Sequence, residues 1–261
     1  MDSGRRSRRL SERLQSSSVD VRSVIYRLDA GLPSGIRGLL RSSPLNRARA
    51  WLTSNEPIVS GSVSFEGESF EFTAPASIFE RGRRHGIEKR ICRLMLAEIP
   101  RGGTALDVGA NYGFLTRIAA RATGVEGRVV AFEMDVDIAH ILSRSLESNG
   151  LTQVDVVQGA VGSDPSSVRL DDYCDQLTGV EFIKIDVDGP ELEVLKGGHR
   201  LIQRDRPVIV VEMNRAEQQI YDLLSDLGYT QFMGMSNEEV QPGRWPPNLI
   251  ASTREVRIPG V

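Results

Sequence analysis

The chain has 261 residues, of which 40% are hydrophobic and 26% charged, with a formal net charge of −3. A chain of this size builds one sizeable core, and apolar runs such as Val208 to Val211 fall far short of the roughly 20 residues a membrane span requires. The acidic body argues against a broad phosphate-binding face, and so against a nucleic-acid enzyme; the two cysteines, Cys92 and Cys174, lack metal-ligand spacing and read as reduced thiols of a cytoplasmic protein.

Residues 1–58 read as a basic N-terminal arm, with eleven Arg against four acids in residues 1–50. Its first stretch, MDSGRRSRRLSERLQSSSVD, lacks the apolar segment of an export signal and is expected to be disordered. From Val19 to Leu52 apolar residues recur at helical intervals, as in Val21, Val24, Ile25 and Leu28, with Pro33 and Pro44 as breaks. Short amphipathic helices that pack on the main domain or a partner are predicted. A peripheral contact with an anionic membrane, adding membrane association to a cytoplasmic location, is the competing expectation. A homo-oligomer is left open.

Residues 59–261 read as one domain. It begins with SVSFEGESFEF, whose alternation predicts a β-hairpin from about 62 to 72. A helix with the apolar face Ile87, Ile91, Leu94, Met95 and Ile99 follows, ended by Pro100 and the Gly102-Gly103 turn. The units then alternate: TALDV strand, FLTRIAARA helix, RVVAF strand, IAHILSRSLESNG helix, VDVVQG strand, FIKID strand, ELEVLKGG helix, PVIVVEM strand, AEQQIYDLLSDLG helix and YTQFM strand. A last strand is predicted at about 248 to 252, antiparallel beside YTQFM. Nearly continuous apolar strands alternating with helices define a doubly wound, mostly parallel α/β sheet of the Rossmann-like kind.

In such sheets the ligand sits beyond the carboxyl ends of the strands. The first turn there is LDVGANYGF. Gly109 allows close backbone approach to a ligand, and the helix opening near Tyr112 offers free N–H groups. A dinucleotide fingerprint would need Gly where Asn111 and Phe114 stand. Asp107 would repel a pyrophosphate and suits a ligand carrying an ammonium or sulphonium. Glu133, at the end of the second strand, is placed to accept both hydrogens of a ribose cis-diol.

The stretch FIKIDVDGPELEVLKGG places Asp186, Asp188, Glu191 and Glu193 where an apolar strand gives way to a turn. Asp186 ends the strand at the crevice and is the best placed general base; capping the helix at Pro190 is its bland alternative. Asp188 could equally be that cap. Glu191 occupies the electropositive helix end and Glu193 is solvated. An EF-hand fails on spacing, because Glu191 and Gly197 stand where Gly and Glu are required. A looser divalent site using Asp186 and Glu212 stays open. Among the histidines, His85 lies in the Arg-rich ERGRRHGIEKR, read as a loop, and is the second catalytic candidate. His140 reads as structural, and His199 as a cap or tether after the Gly-Gly helix end.

Taken together, LDVGANYGF, AFEMD, QGAVG, FIKIDVDGPELEVLKGG and PVIVVEMN resemble the FkbM family of class I S-adenosylmethionine-dependent methyltransferases, over about residues 62 to 235. Met134 stands where that family often has Pro, Asp188 where Glu or Gln is usual, and 159–180 is short. The resemblance implies Asp107 and Gly109 near the methionine end of S-adenosylmethionine, with Asn111 beside them and Asp186 at the methyl. It implies Glu133 on the ribose with Met134 adjoining, Gly159 and Ala160 bordering the adenine, and Glu88 closing the pocket. It further implies O-methylation of a small-molecule or glycan hydroxyl, on a sugar, glycolipid or polyketide-like acceptor. Two other functions compete. An NAD-dependent oxidoreductase is opposed by the missing glycines, and a non-catalytic methyltransferase-like scaffold by the intact Asp107, Gly109, Glu133 and Asp186.

Overall fold

The computed structural model describes residues 56–261, so the expectations for the arm over 1–55 lie outside the described residues. Strands β1 (Ile58–Phe65) and β2 (Glu68–Pro75) form an antiparallel hairpin, longer at both ends than predicted. Its two-residue turn, Glu66-Gly67, takes positive φ at both positions (47° and 82°), the geometry that matches strand twist. The inward residues Val63, Phe65, Phe72 and Ala74 are buried, and the Phe72 ring meets Phe114 edge-on at 5.5 Å.

Helix α1 (Ala76–His85) follows, where a loop was expected. Its outer surface is rich in Arg, and its short apolar stripe of Ile78 and Phe79, packed on the core beside the buried Gly82, is masked by ERGRRH. Helix α2 (Lys89–Glu98) buries Ile91, Leu94 and Met95 as its pattern predicted, and Cys92 besides; of the predicted face, Ile87 lies before the helix and Ile99 is its C-cap residue.

The main sheet is built from β3 (Thr104–Val108), β4 (Arg128–Glu133), β5 (Val154–Gln158), β6 (Val180–Ile185), β7 (Val208–Glu212), β8 (Gln231–Met233) and β9 (Asn248–Ser252), in the order β5-β4-β3-β6-β7-β9-β8. The first five are parallel; β9 runs antiparallel beside β8, as expected, and inserts between it and β7. Helices α3 (Phe114–Thr123), α4 (Val136–Ser148), α5 (Glu191–Gly197), α6 (His199–Asp205) and α7 (Glu217–Asp226) complete the domain.

Strand alternation divides the core between two faces. Ala105, Phe182, Val208 and Val210 pack with the hairpin, α2 and α3. Leu106, Val108, Ile183, Ile185, Ile209 and Val211 pack with α5, α6 and α7. This is the doubly wound arrangement.

ELEVLKGG does not simply end at its glycines. Gly198 joins α5 to α6, and a Cβ on Gly197 would lie 2.0 Å from the Gly162 carbonyl oxygen, so the helix packs directly on that loop. His199 is therefore the exposed first residue of α6 rather than a cap, and His140 is exposed on α4. Among the described residues no helix is long and apolar enough to cross a membrane.

Candidate active site

The carboxyl ends of β3, β4 and β6 open onto a cleft of about 610 Å³, walled on one side by Phe72 of the hairpin, Ile78 of α1 and Phe114 of α3. That volume suits a ligand the size of a nucleotide cofactor.

The turn after β3 is shaped by its protein neighbours. Gly109 has φ +82°, and a Cβ there would fall 1.8 Å from the Asp186 carbonyl oxygen. The glycine is needed because the end of β6 passes against it, and not only for ligand approach. Its N–H and that of Ala110 both donate to the Phe132 carbonyl at 2.9 Å. Asn111, also at positive φ, donates its N–H to Glu133 Oε2 at 2.8 Å, while its own Oδ1 accepts the Tyr112 N–H.

Asp107 departs from expectation. It is 1% exposed and absent from the cleft lining. Its strand position points it into the α2/α3 side of the core, where Oδ2 accepts the Thr116 hydroxyl at 2.6 Å and Oδ1 lies 3.6 Å from Lys184 Nζ. It lies behind the turn and does not line the cleft.

Glu133 does face the cleft. Its two oxygens accept the N–H groups of Asn111 and Asp135, at 2.8 and 2.9 Å, which fixes the carboxylate. Each oxygen keeps a further lone pair for an incoming hydroxyl. Met134 is exposed beside it, and the Gly159 N–H donates to the Glu133 carbonyl at 2.9 Å, drawing Gly159 and Ala160 to the same wall.

Beyond β6, Asp186 lines the cleft with its N–H donating to the Val108 carbonyl at 3.0 Å. The carboxylates of Asp186, Asp188 and Glu212 come within 4.8 Å of one another. Such hard oxygen donors suit magnesium, calcium or manganese. Asp188, expected as a possible cap, instead joins this group; Pro190 is the N-cap residue, without a side-chain cap bond. The cap-like role falls to Glu191, which is fully buried and whose Oε1 accepts the Gly189 N–H at 2.9 Å and the Asn214 amide at 3.0 Å. Glu193 is half-exposed but paired, with Lys196 at 2.8 Å and with the Ser163 hydroxyl.

Glu88, at φ 48° between α1 and α2, also lines the cleft. The residue is exposed by area, yet surrounding protein crowds its carboxyl. That crowding raises its carboxyl pKa, opposed by the charge of Lys184 and reinforced by Asp186. His85 ends α1, exposed and outside the cleft lining. The structure brings together Glu88, Gly109, Asn111, Glu133, Met134, Gly159, Ala160, Asp186 and Glu212 in one cleft, with Asp107 behind it and His85 apart.

Lys184 was missed. It is 5% exposed, and its Nζ donates to the Gly109 carbonyl at 3.1 Å. Burial opposes its charge, but the carboxylates of Asp186, Asp107, Glu88 and Glu212 outweigh that and raise its pKa. The signal was available: it is one of three lysines in the chain, set inside the apolar run FIKI.

A parallel five-strand ladder extended by an antiparallel strand pair, with an acid at the end of β4 facing the cleft, defines a class I, Rossmann-like methyltransferase fold. Residues 139–230 match the methyltransferase FkbM domain model, in line with the resemblance seen in the sequence. The chain is similar to the crystal structure of methyltransferase FkbM from Methylobacillus flagellatus KT, with 24% identity and a TM-score of 0.43 over 57% of this chain and 43% of that one. It thus spans under half the length of that protein. A SAM-dependent O-methyltransferase from Thermotoga maritima is 16% identical, with a TM-score of 0.46 over 77% of this chain and 78% of that one. A SAM-dependent methyltransferase from Aquifex aeolicus is 18% identical, with a TM-score of 0.41 over 60% and 85%. No curated protein matches the chain.

Proposed function

We propose that this protein transfers a methyl group from S-adenosylmethionine to a hydroxyl of a sugar, glycolipid or polyketide-like metabolite. The observation that carries the reading is Glu133, fixed by two backbone N–H groups at the end of β4 while its carboxylate lines the cleft that Asp186 also lines. A carboxylate so held is preorganised for a cis-diol. When bound, S-adenosylmethionine supplies an electrophilic methyl group on a cationic sulphur.

The protein's own contribution is positioning and one proton. Glu133 holds the ribose hydroxyls, and Met134, Gly159 and Ala160 flank the base. Phe72, Ile78 and Phe114 supply an apolar wall that excludes water from the reacting groups. Asp186 accepts the proton that the acceptor hydroxyl loses during attack, an effect of about 10²–10⁴-fold for a well-placed base. The chain need supply no general acid, since the leaving group would be a neutral thioether, and no such role is assigned to His85.

With Asp188 and Glu212, Asp186 could instead serve as a divalent-metal ligand, since the three carboxylates lie within 4.8 Å of one another. Chelation separates the two. Transfer abolished by chelator and restored by magnesium assigns Asp186 to the metal, and unchanged transfer assigns it to the proton.

The experiment that tests the proposal is incorporation of labelled methyl from S-adenosylmethionine into metabolite and glycolipid extracts of the producing cell. The expected product carries the label on a hydroxyl oxygen. Label appearing on carbon or nitrogen would overturn the O-methyl assignment. An NAD-dependent reading predicts titration with nicotinamide cofactor in place of S-adenosylmethionine, which Asn111 and Phe114 disfavour.

A further inference from the structure

We infer that Lys184 is a positioning residue for methyl transfer, holding the Asp186 carboxylate against the sulphonium end of the cleft by joining the β3 turn and the end of β6 through one ammonium. The inference rests on the S-adenosylmethionine reading above.

A buried ammonium is costly to retain, because removing an ion from water is penalised before its contacts offset it. Lys184 stands between Ile183 and Ile185, both fully buried, in a strand where an apolar residue would pack without that penalty. What it gains is three contacts on one side of the sheet. In the β3–β6 ladder Lys184 pairs with Asp107, and paired residues of parallel strands project to the same side, as does Asp186 two positions on. The ammonium has three donors. It donates to the Gly109 carbonyl at 3.1 Å and stands 3.6 Å from Asp107 Oδ1 and 3.7 Å from Asp186 Oδ2.

A mere counter-charge to Asp107 would not require the bond to Gly109. That bond matters because Gly109 and Asp186 touch: the missing Cβ is what lets the Asp186 carbonyl approach. The same ammonium therefore fixes the glycine on one strand and the carboxylate on the next.

Positioning and simple charge balance predict opposite signs. As a nearby cation, Lys184 repels a sulphonium, so its removal would favour S-adenosylmethionine over the neutral S-adenosylhomocysteine. As a positioning residue, its removal lets Asp186 drift and abolishes that preference. The test is calorimetric titration of the full chain with each ligand in wild type, Lys184→Gln, Asp186→Asn and the double variant. The preference for S-adenosylmethionine over S-adenosylhomocysteine is expected to fall about fivefold in Lys184→Gln, within the coupling seen for contacting groups. It should fall equally in Asp186→Asn, and no further in the double variant.

A preference that stays constant or rises in Lys184→Gln overturns the inference. So do equal further losses in the Asp186→Asn background. If Lys184→Gln does not fold by circular dichroism, Asp107→Asn/Lys184→Met, which removes the buried charges together, is compared with Asp107→Asn in the same way; unfolding of both lysine variants assigns Lys184 to folding and also overturns it. Failure of the wild type to bind S-adenosylmethionine is a different result, and rejects the methyl-transfer reading itself.

Discussion

The backbone N–H of Asn111 donates to Glu133 Oε2 at 2.8 Å, so the turn after β3 and the last residue of β4 form one unit. The other oxygen accepts the Asp135 N–H, at the residue that caps α4 through the N–H groups of Asp137 and Ile138. This wall of the candidate site is thus assembled from main-chain donors before any ligand arrives. Replacing Glu133 by Ala removes both acceptors. We expect affinity for S-adenosylhomocysteine, measured by calorimetry, to fall at least about tenfold, with about 1–3 kcal/mol of stability lost through the orphaned N–H groups. Unchanged affinity would remove Glu133 from the site.

Gly109→Ala tests the contact between β3 and β6. At φ +82° an alanine is strained by about 1–3 kcal/mol from the backbone alone. Its Cβ would also overlap the Asp186 carbonyl, which must then retreat. Urea unfolding should show a loss at or above that range, together with weakened cofactor binding. A neutral substitution would contradict the packing described.

Asp186→Asn keeps the shape of the side chain and removes its basicity. Turnover with labelled S-adenosylmethionine is expected to drop about 10²-fold or more, the lower end of general-base catalysis. Affinity for the neutral S-adenosylhomocysteine should stay within about twofold, since a neutral ligand gains little from the charge of a side chain whose shape is kept. Wild-type turnover in this variant would eliminate Asp186 as the base.

Glu88 gives a pH prediction. Its folded-state pKa is raised, chiefly by crowding, above the ordinary 4.5. A carboxyl of this kind favours the folded state below 4.5 and loses that contribution as pH rises through its folded value. Melting temperatures of wild type and Glu88→Gln should therefore differ little below pH 4.5, and the variant should gain on the wild type as pH rises past it. A constant difference across the range would contradict the raised pKa.

Much of this was legible in the sequence. Buried parallel strands are nearly all apolar, so TALDV, RVVAF, FIKID and PVIVV announced the sheet, and the acid ending RVVAFE announced Glu133. Legibility failed where packing is not written in local pattern. In α1 the apolar stripe is only Ile78, Phe79 and Gly82, and the Arg-rich ERGRRH masks it, while α6 is too short to stand apart from the Gly-Gly pair. Asp107 was read as facing the ligand because its position at a strand end says nothing about which side its carboxylate takes. Its partners, Thr116 and Lys184, come from elements distant in the chain. The same holds for Glu191, whose bond to Asn214 joins α5 to the loop after β7.

The central claim is that this cleft is built for S-adenosylmethionine, and direct calorimetric titration of the purified chain tests it most simply. The account predicts saturable binding in the micromolar range, lost on replacing Glu133 by Ala. No heat of binding at high micromolar S-adenosylmethionine, or equal binding by wild type and Glu133→Ala, would contradict it.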